Sequence, residues 1–524
     1  MRAWDDLRIK DAIYPSVKFQ PEYSFGREVG MQDVRVRSVA AVSIWAVVLT
    51  VLLPGLILQS HGVHVSAALA LQGVVMAHTG GALARVLSAT TVRFVAFGFW
   101  VFAYIWLGLA PLAMLATDTY PWPYRTGEVT TFEAVAVIEL GLVAYSAGAA
   151  LAARRGRTGL TPAAPGLVER LLARRLAPWR LLALCAGALA FAFVLISDQP
   201  GRLAAYFTSR QAITEVGVPD HGQEAFLQVL LSWSLSVPAF WALLGLLRVP
   251  RLPGGDRWLR GVRWLLLPVL LALNAVVNNP ISKPRFWVGT VLLTMLFTMP
   301  SLCRPRVFRA VGAALIAALL VVFPYSDYFR YSDREDVKVV SLAEQFTDNG
   351  DFDAFQQVQT GLDYARENGF SPQDALGPPL FMVPRSTWPG KPDDTGITLA
   401  EYAGYDFVNL SAPLWIESYL WAGPWAVAVV FCLFGAAGRR MDDVHHRLRD
   451  RRGTLAALLV PAFAFYQMVF LRGSLLGIAG PLTLLVTIPL LISTPTGRAS
   501  RFPSSAVPTG PIRHASISGT GGHP

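Results

Sequence analysis

A chain of 524 residues would ordinarily form several soluble domains, but the composition excludes that class of protein. Hydrophobic residues make up 53% of the chain and charged residues only 15%. The apolar residues come in blocks of roughly twenty, the length that crosses a hydrocarbon core of about 30 Å. The net charge of +10 is explained by topology, because basic residues collect in alternate short loops, and we expect no nucleic-acid binding. The sequence therefore predicts an all-α polytopic membrane protein.

About twelve apolar segments are predicted to be transmembrane helices. Nine lie within residues 38–324 and three within 413–493, with a hydrophilic stretch at 325–412 between the two groups. Residues 1–37 form a cytoplasmic segment without the early apolar run of a cleavable signal peptide. Residues 494–524, rich in Ser, Thr, Pro and Gly, are predicted to be a disordered cytoplasmic tail. The predicted spans are 38–59, 65–84, 94–115, 132–153, 180–197, 226–247, 263–278, 286–301, 309–325, 413–437, 454–471 and 474–493.

The orientation follows from the distribution of arginine between the loops. The loops after spans four, six, eight and ten hold most of the basic residues, which places these loops and both termini in the cytoplasm. The stretch 325–412 then lies outside the cytoplasm. Phe352, Phe355, Val358, Leu362 and Ala365 recur in it at helical spacing, and its second half is rich in turn-forming Pro and Gly. We therefore predict one large extracytoplasmic loop containing short helices, with Asp351 as an N-cap and Gly369 as a C-cap.

The few cations on this external side point to an anionic ligand. Guanidinium groups bind phosphate oxygens bidentately and stabilise a departing diphosphate as its charge develops. The alternative for each residue is that it lies next to the membrane and extends its charged group into the interface, without binding a ligand. Arg285, Arg385 and Arg472 each lie in a turn with Pro or Gly, which favours function for these three. The full set of external cations considered is Arg210, Lys283, Arg285, Arg330, Arg334, Arg385, Lys391 and Arg472.

A carboxylate is the leading candidate for a general base. Glu417 lies about one turn inside span ten, and an intramembrane carboxylate is costly enough to suggest function. A structural salt bridge to one of the arginines is the alternative. No credible metal-ligand spacing and no phosphate-binding loop occur, so neither a metal nor a nucleotide cofactor is expected.

Two further patterns bear on function. Tyr120, Trp122 and Tyr124 at the end of span three are typical of an interfacial aromatic belt. Polar residues do not recur at mid-depth across several spans, which argues against an ion-coupled transporter.

Four segments of the chain resemble one known family. The sequence PRSTWPGKP at residues 384–392 resembles the external-loop motif of the oligosaccharide repeat unit polymerases, the Wzy-like O-antigen polymerase family. The sequence APLWIESYL at 412–420, followed by Gly423, looks like a span-entry motif of that family. The turns at Arg285 and at Arg472-Gly473-Ser474 are also similar to its pattern.

The resemblance implies a metal-independent, GT-C-like glycosyltransferase without a cofactor. Such an enzyme joins undecaprenyl-diphosphate-linked repeat units into O-antigen, capsule or exopolysaccharide on the outer side of the inner membrane. A flippase and a chain-length regulator are the implied protein partners, beside membrane lipid and the lipid-linked glycans. By this resemblance Arg285, Arg385 and Arg472 hold the diphosphate and Glu417 acts as base. Supporting substrate contacts come from Arg210, Lys283, Arg330, Trp388 and Lys391.

Two rival functions remain open at this stage. An O-antigen ligase-type transferase would use similar architecture to move a finished glycan onto a different acceptor. A lipid-linked oligosaccharide flippase or other transporter belongs to a different class, and it should line a central cavity with charges from many spans. A structural scaffold ranks last because it leaves the external arginines unexplained.

Overall fold

The structure is a computed structural model that describes residues 39–59, 62–155, 166–198, 206–207, 223–248, 257–322, 340–407, 410–448 and 453–495. The predicted N-terminal segment, nearly all of the predicted tail, and Arg210, Arg330 and Arg334 lie outside these residues.

The described chain is almost entirely helical, and each predicted span coincides with a helix. Six helices, α1, α2, α3, α4, α6 and α14 below, are long and apolar enough to cross a membrane. Shorter apolar helices occupy five of the other predicted spans, so the count of twelve stays a prediction. The helices are α1 (Val39–Leu58), α2 (Ala67–Ser88), α3 (Phe94–Thr117), α4 (Glu128–Arg155), α5 (Leu167–Leu172), α6 (Pro178–Asp198), α7 (Gln223–Arg248), α8 (Arg257–Val277), α9 (Arg285–Phe297), α10 (Pro305–Val321), α11 (Leu342–Asp348), α12 (Ala354–Asn368), α13 (Thr395–Tyr402), α14 (Leu414–Leu448), α15 (Ala456–Arg472) and α16 (Leu475–Leu491).

The core of the bundle is built on α3, α4 and α14. The span of α3 is buried throughout, and Phe99 of α3 stacks on Tyr145 of α4 with ring centroids 3.5 Å apart. Gly148 of α4 and Gly435 of α14 leave no room for a side chain, because a Cβ at either position would overlap the facing helix backbone. Small residues permit this close approach where lipid offers no hydrophobic driving force between helices.

Charged side chains terminate helices at the end of the bundle opposite the loop, here called the cap end. Arg309 donates to the carbonyls of Leu87 and Ser88 at 2.9 and 2.8 Å, at the C-terminus of α2. Asp442 accepts from the backbone N–H groups of Val95 and Ala96 at 2.9 and 3.0 Å, at the N-terminus of α3. These contacts satisfy the unpaired groups of helix ends with charge of the favourable sign. The same end is closed by Arg174 and by a two-stranded antiparallel ribbon. The ribbon consists of β1 (Arg175–Leu176) and β2 (Ser493–Thr494).

The large loop forms the other end of the bundle, here called the loop end. It contains α11, α12 and α13, which confirms the short helices, and the apolar pattern of α12 is buried as predicted. Gly369 is the C-cap with φ of 80°, and its N–H donates to Ala365 at 2.9 Å. The N-cap prediction for Asp351 is wrong. Asp353 occupies that position, while Asp351 sits in a 3₁₀ turn (Gly350–Phe352) with its carboxylate drawn to arginine.

A kink in α14 attaches the loop to the bundle. Pro424 has no N–H, so it leaves the carbonyl of Leu420 without its helical donor. The N–H of Ser371 donates to that carbonyl at 2.9 Å instead. Gly423 has φ of 66°, which favours glycine, and the Phe370 ring covers it. The glycine of the span-entry motif is thus the point where the loop docks.

Candidate functional site

Two of the predicted arginines meet at the loop end and form an arginine–aspartate centre with Asp351 and Asp353. Arg285 forms an ion pair with the Asp351 carboxylate. Arg472 places one nitrogen 3.7 Å from that same carboxylate and donates to Asp353 at 3.3 Å. Arg472 also donates to the backbone carbonyls of Gly350 and Asp351 at 3.2 and 3.0 Å. Residues far apart in the sequence therefore converge on one turn.

Helix ends position both arginines. Arg285 is the first residue of α9, after a turn in which the side-chain oxygen of Asn279 accepts from two backbone N–H groups. Arg472 is the last residue of α15, and Gly473 and Ser474 separate it from α16. The backbone carbonyl of Asp351 is fixed by the Trp106 indole, which donates to it at 2.9 Å. The two guanidinium groups are therefore held by rigid elements that meet at the loop end.

The two arginines and two aspartates of the centre balance in formal charge, but their side chains differ in solvent exposure. Asp353 is 1% exposed, and burial raises the pKa of its carboxyl, while Arg472, the Ser411 hydroxyl and the Trp122 indole act in the opposite direction. The Arg285 and Arg472 side chains are 18% and 19% exposed, and Asp351 is 10% exposed. The accessible part of the centre thus consists of two guanidinium groups that share one carboxylate. That carboxylate stands in the place an anionic ligand would take.

Glu417 lies next to this centre and has a different environment from the one expected for a base. Its side chain is 3% exposed. It accepts from the Leu475 N–H at 3.0 and 3.1 Å and from the Ser474 hydroxyl at 3.2 Å. Within the described chain it pairs with no arginine, so the salt-bridge alternative is not formed. The carboxylate holds the start of α16, directly after Arg472, and its role as a base stays a prediction.

Arg385 and Lys391 form a second cluster, which folds the motif loop onto itself. Arg385 pairs with Asp393 at 2.5 Å and donates to the backbone carbonyls of Lys391 and Pro392 at 2.8 and 3.3 Å. The Lys391 ammonium donates to the carbonyls of Phe381 and Val383, and burial, followed by nearby Arg385, lowers its pKa. No hydrogen bond or ion pair between described residues joins this cluster to the arginine–aspartate centre. Arg385 is thus bonded within its own loop, and its role beside Arg285 and Arg472 stays a prediction.

Asp394 connects the motif loop to the turn that carries Arg472. Its side chain caps α13 by accepting from the Gly396 N–H at 2.9 Å. The other carboxylate oxygen lies against Gly477 in the first turn of α16. Burial raises the pKa of Asp394, partly offset by bonds from Ser474 and nearby backbone N–H groups. The 472–477 turn is therefore shared between the two clusters.

The remaining predicted contacts are less central. Lys283 is 6% exposed, and its ammonium lies 5.3 Å from the centroid of the Trp233 ring. Trp388 is half-buried within the turns of the motif loop. The residues described in the structure contain no group of three or more His, Cys, Asp or Glu side chains that could hold a metal ion.

Three features were missed from the sequence. Asp351 and Asp353 were not assigned to the site, although two carboxylates flanking Phe352 could have been matched with the external arginines. Trp122 and Tyr124 are not a simple interfacial belt, because Gln356 bonds their backbone and the indole donates to Asp353 at 3.2 Å.

A polar group also occurs at mid-depth, against expectation. His78 of α2 bonds Glu139 of α4 at 2.8 Å and Ser146 at 3.2 Å. His78 and Glu139 each lie eleven residues into their helices, roughly 17 Å along the axis. The expected absence of such residues was an argument against a transporter, and that argument is therefore weaker.

Comparison with known proteins gave no relative, since no protein-family model, no curated protein and no solved structure matches this chain. The likeness to repeat unit polymerases therefore rests on the motifs alone.

Proposed function

We propose that this chain is a GT-C-like membrane glycosyltransferase that polymerises undecaprenyl-diphosphate-linked repeat units into a surface polysaccharide. In this proposal it crosses the inner membrane twelve times, with both termini in the cytoplasm and the loop end outside. The observation that carries the proposal is the convergence of Arg285 and Arg472 on Asp351 at the loop end. Two partly exposed guanidinium groups on rigid helix ends are well suited to bind a diphosphate. No other group of side chains in the described part of the chain fits a substrate as well.

The reaction places a specific demand on these residues. A hydroxyl of the acceptor glycan attacks the anomeric carbon of the donor, and the bond from that carbon to the diphosphate oxygen breaks. Undecaprenyl diphosphate leaves with the bonding electrons, and the hydroxyl proton passes to a base. Arg285 and Arg472 would stabilise the negative charge that develops on the leaving diphosphate.

Asp351 gives this centre a second role. A diphosphate that bound both arginines would compete with the carboxylate that they hold. A carboxylate released in this way would lie beside the diphosphate. Asp351 is therefore our second candidate base, beside Glu417.

Transport of a lipid-linked oligosaccharide is the second candidate function. It is favoured by the membrane-embedded couple of His78 and Glu139, because ionisable residues at this depth are costly and often mark a transport pathway. An O-antigen ligase would use the arginine–aspartate centre in the same chemistry with a different acceptor.

The test is glycan analysis of a deletion strain complemented with wild type, Arg285→Ala, Arg472→Ala or Arg306→Ala at matched expression. Arg306 is the control, since it is an exposed arginine at the cap end. We expect single lipid-linked repeat units in the deletion and in both centre variants, and long polymer with Arg306→Ala. Intact polymer that stays on its carrier lipid would indicate a ligase instead. Normal, correctly attached polymer in the deletion would refute the enzyme.

A further inference from the structure

A group of aromatic side chains forms a shelf at the loop end, from two segments far apart in the sequence. Trp122 lies 4.7 Å from Phe407 between ring centroids, and Phe407 stacks on Tyr405 at 5.4 Å with the rings nearly parallel. Tyr124 and Tyr402 extend the group, with ring centroids 5.9 Å apart. Phe407 is 38% exposed. We call these five rings the aromatic shelf. They form a partly exposed surface that does not include the arginines proposed to bind the diphosphate.

The shelf is fixed in place and adjoins the arginine–aspartate centre. The amide of Gln356 donates to the carbonyls of Trp122 and Tyr124 at 2.7 and 2.9 Å and accepts from the Trp122 N–H at 3.0 Å. The Trp122 indole donates to Asp353 at 3.2 Å, and its ring packs against Gly350, whose carbonyl accepts from Arg472. A ligand on the shelf would therefore lie next to the centre without any rearrangement of these residues.

The chemistry of the rim decides between lipid and sugar as the occupant. Two carboxylates border the rings, because Asp363 accepts from the Tyr124 hydroxyl at 3.4 Å and Glu367 bonds the Tyr402 hydroxyl. Arg125 donates to the carbonyl of Trp122, and the exposed Asp406 stands between Tyr405 and Phe407 in the sequence. Carboxylates are unfavourable against hydrocarbon and against anionic headgroups. A sugar ring, in contrast, offers an apolar C–H face to an aromatic ring and a rim of hydroxyls that both donate and accept. Aromatic walls with a few placed polar groups are the usual lining of a small-ligand site.

We infer that the aromatic shelf binds sugar rings of the acceptor glycan. The assignment to the acceptor rests on the proposed function, whereas sugar binding by the shelf does not depend on it. In the reaction, the diphosphate of the donor occupies Arg285 and Arg472, and the shelf holds the incoming glycan beside it. Trp122 then links the two sites through Asp353 and Gly350.

The experiment is saturation-transfer NMR with the full-length protein in nanodiscs. The probe is the set of oligosaccharides released by mild acid from the host's own surface polysaccharide, which carry no diphosphate. We expect transfer to sugar C–H protons with wild type and a loss of affinity of up to about tenfold with Phe407→Ala, the order of one aromatic contact. Phe407→Trp keeps a ring at this position and should retain binding. The control is Phe193→Ala, an exposed aromatic residue of α6 outside the shelf and the loop.

The outcomes separate this inference from the proposed function. No transfer with wild type, or equal loss with Phe193→Ala and Phe407→Ala, overturns the shelf even if the protein is a polymerase. Arg285→Ala should bind the oligosaccharides like wild type, since they lack the group that Arg285 holds. Selective loss with Phe407→Ala supports the shelf, and it does so even if deletion of the gene leaves the polymer normal and the polymerase proposal fails.

Discussion

Replacing Glu417 by Gln and by Ala distinguishes a catalytic base from a carboxylate that positions the Arg472 turn. Glu417 accepts from the Leu475 N–H and the Ser474 hydroxyl in a site that is almost fully buried. Gln retains an oxygen that accepts from the same N–H, and Ala retains none. A general base fails with both substitutions, whereas a structural acceptor fails only with Ala.

The losses of activity expected for a general base and for a structural acceptor differ enough to be measured. Loss of a general base costs about 10² to 10⁴ in rate. Gln instead loses, at most, the interaction of a negative charge with the N-terminus of α16, about 0.3–1 kcal/mol, or at most about fivefold. Ala leaves a buried N–H without an acceptor and costs about 1–3 kcal/mol of stability. We therefore expect Glu417→Gln to keep most activity and Glu417→Ala to lose both stability and activity.

The assay is polymer formation by the purified variants in nanodiscs from lipid-linked repeat units, with thermal unfolding recorded on the same samples. Conversion is compared at equal amounts of folded protein, so that a loss of stability is not mistaken for a loss of chemistry. If Glu417→Gln unfolds like wild type and yet is as inactive as Glu417→Ala, the positioning role is wrong and Glu417 is the base. The same pair at Asp351 should then retain activity, which provides the reciprocal control.

Three further predictions concern stability. Gly148→Leu should abolish folded protein in detergent, because the new side chain would overlap the backbone of α14. The control Gly187→Leu should fold, since there is open space around the Cβ position of Gly187. Size-exclusion profiles of the two variants test this. Asp442→Ala should lower the free energy of unfolding by about 1–3 kcal/mol, because it leaves the buried N–H groups at the N-terminus of α3 without an acceptor, and equal loss with the more exposed Asp443→Ala would contradict this. Burial raises the pKa of Asp394, so its stability contribution is complete below the unfolded value of about 3.9 and is lost as pH rises through the folded value. The melting temperature of wild type should accordingly fall relative to Asp394→Asn as the pH rises above about 4, and parallel curves would refute it.

The helices could be predicted from the sequence because their signals are local. Apolar blocks of span length located the transmembrane candidates, and four apolar positions of α12 with Gly369 located a short helix inside the loop. Each of these signals lies within one element, so no partner had to be known. The boundaries moved by several residues where polar turns of helix extend beyond the apolar block, as in α14, which runs on to Leu448.

The site could be predicted only in part because its contacts are long-range. Arg285 and Arg472 were identified from their turns, but their shared partner lies 121 residues from Arg472. The local pattern assigned Asp351 to a helix cap, which is what a carboxylate before a helix usually does. Tyr124 was similarly assigned to the membrane interface, although its backbone N–H bonds the hydroxyl of Tyr405, 281 residues away. Local sequence patterns contain no information about such pairs.

The turn at residues 472–477 explains why separate motifs belong to one site. Arg472 reaches the 3₁₀ turn of Asp351, and Leu475 is held by Glu417 from the span-entry motif. Gly477 packs against Asp394, which directly follows the Arg385–Asp393 pair of the motif loop. A displacement of the loop would therefore be passed to Arg472 through Asp394 and the first turn of α16, without any contact between Arg385 and the diphosphate. On this argument Arg385 acts through the position of Arg472, and its replacement should weaken donor binding less than the loss of Arg472 itself.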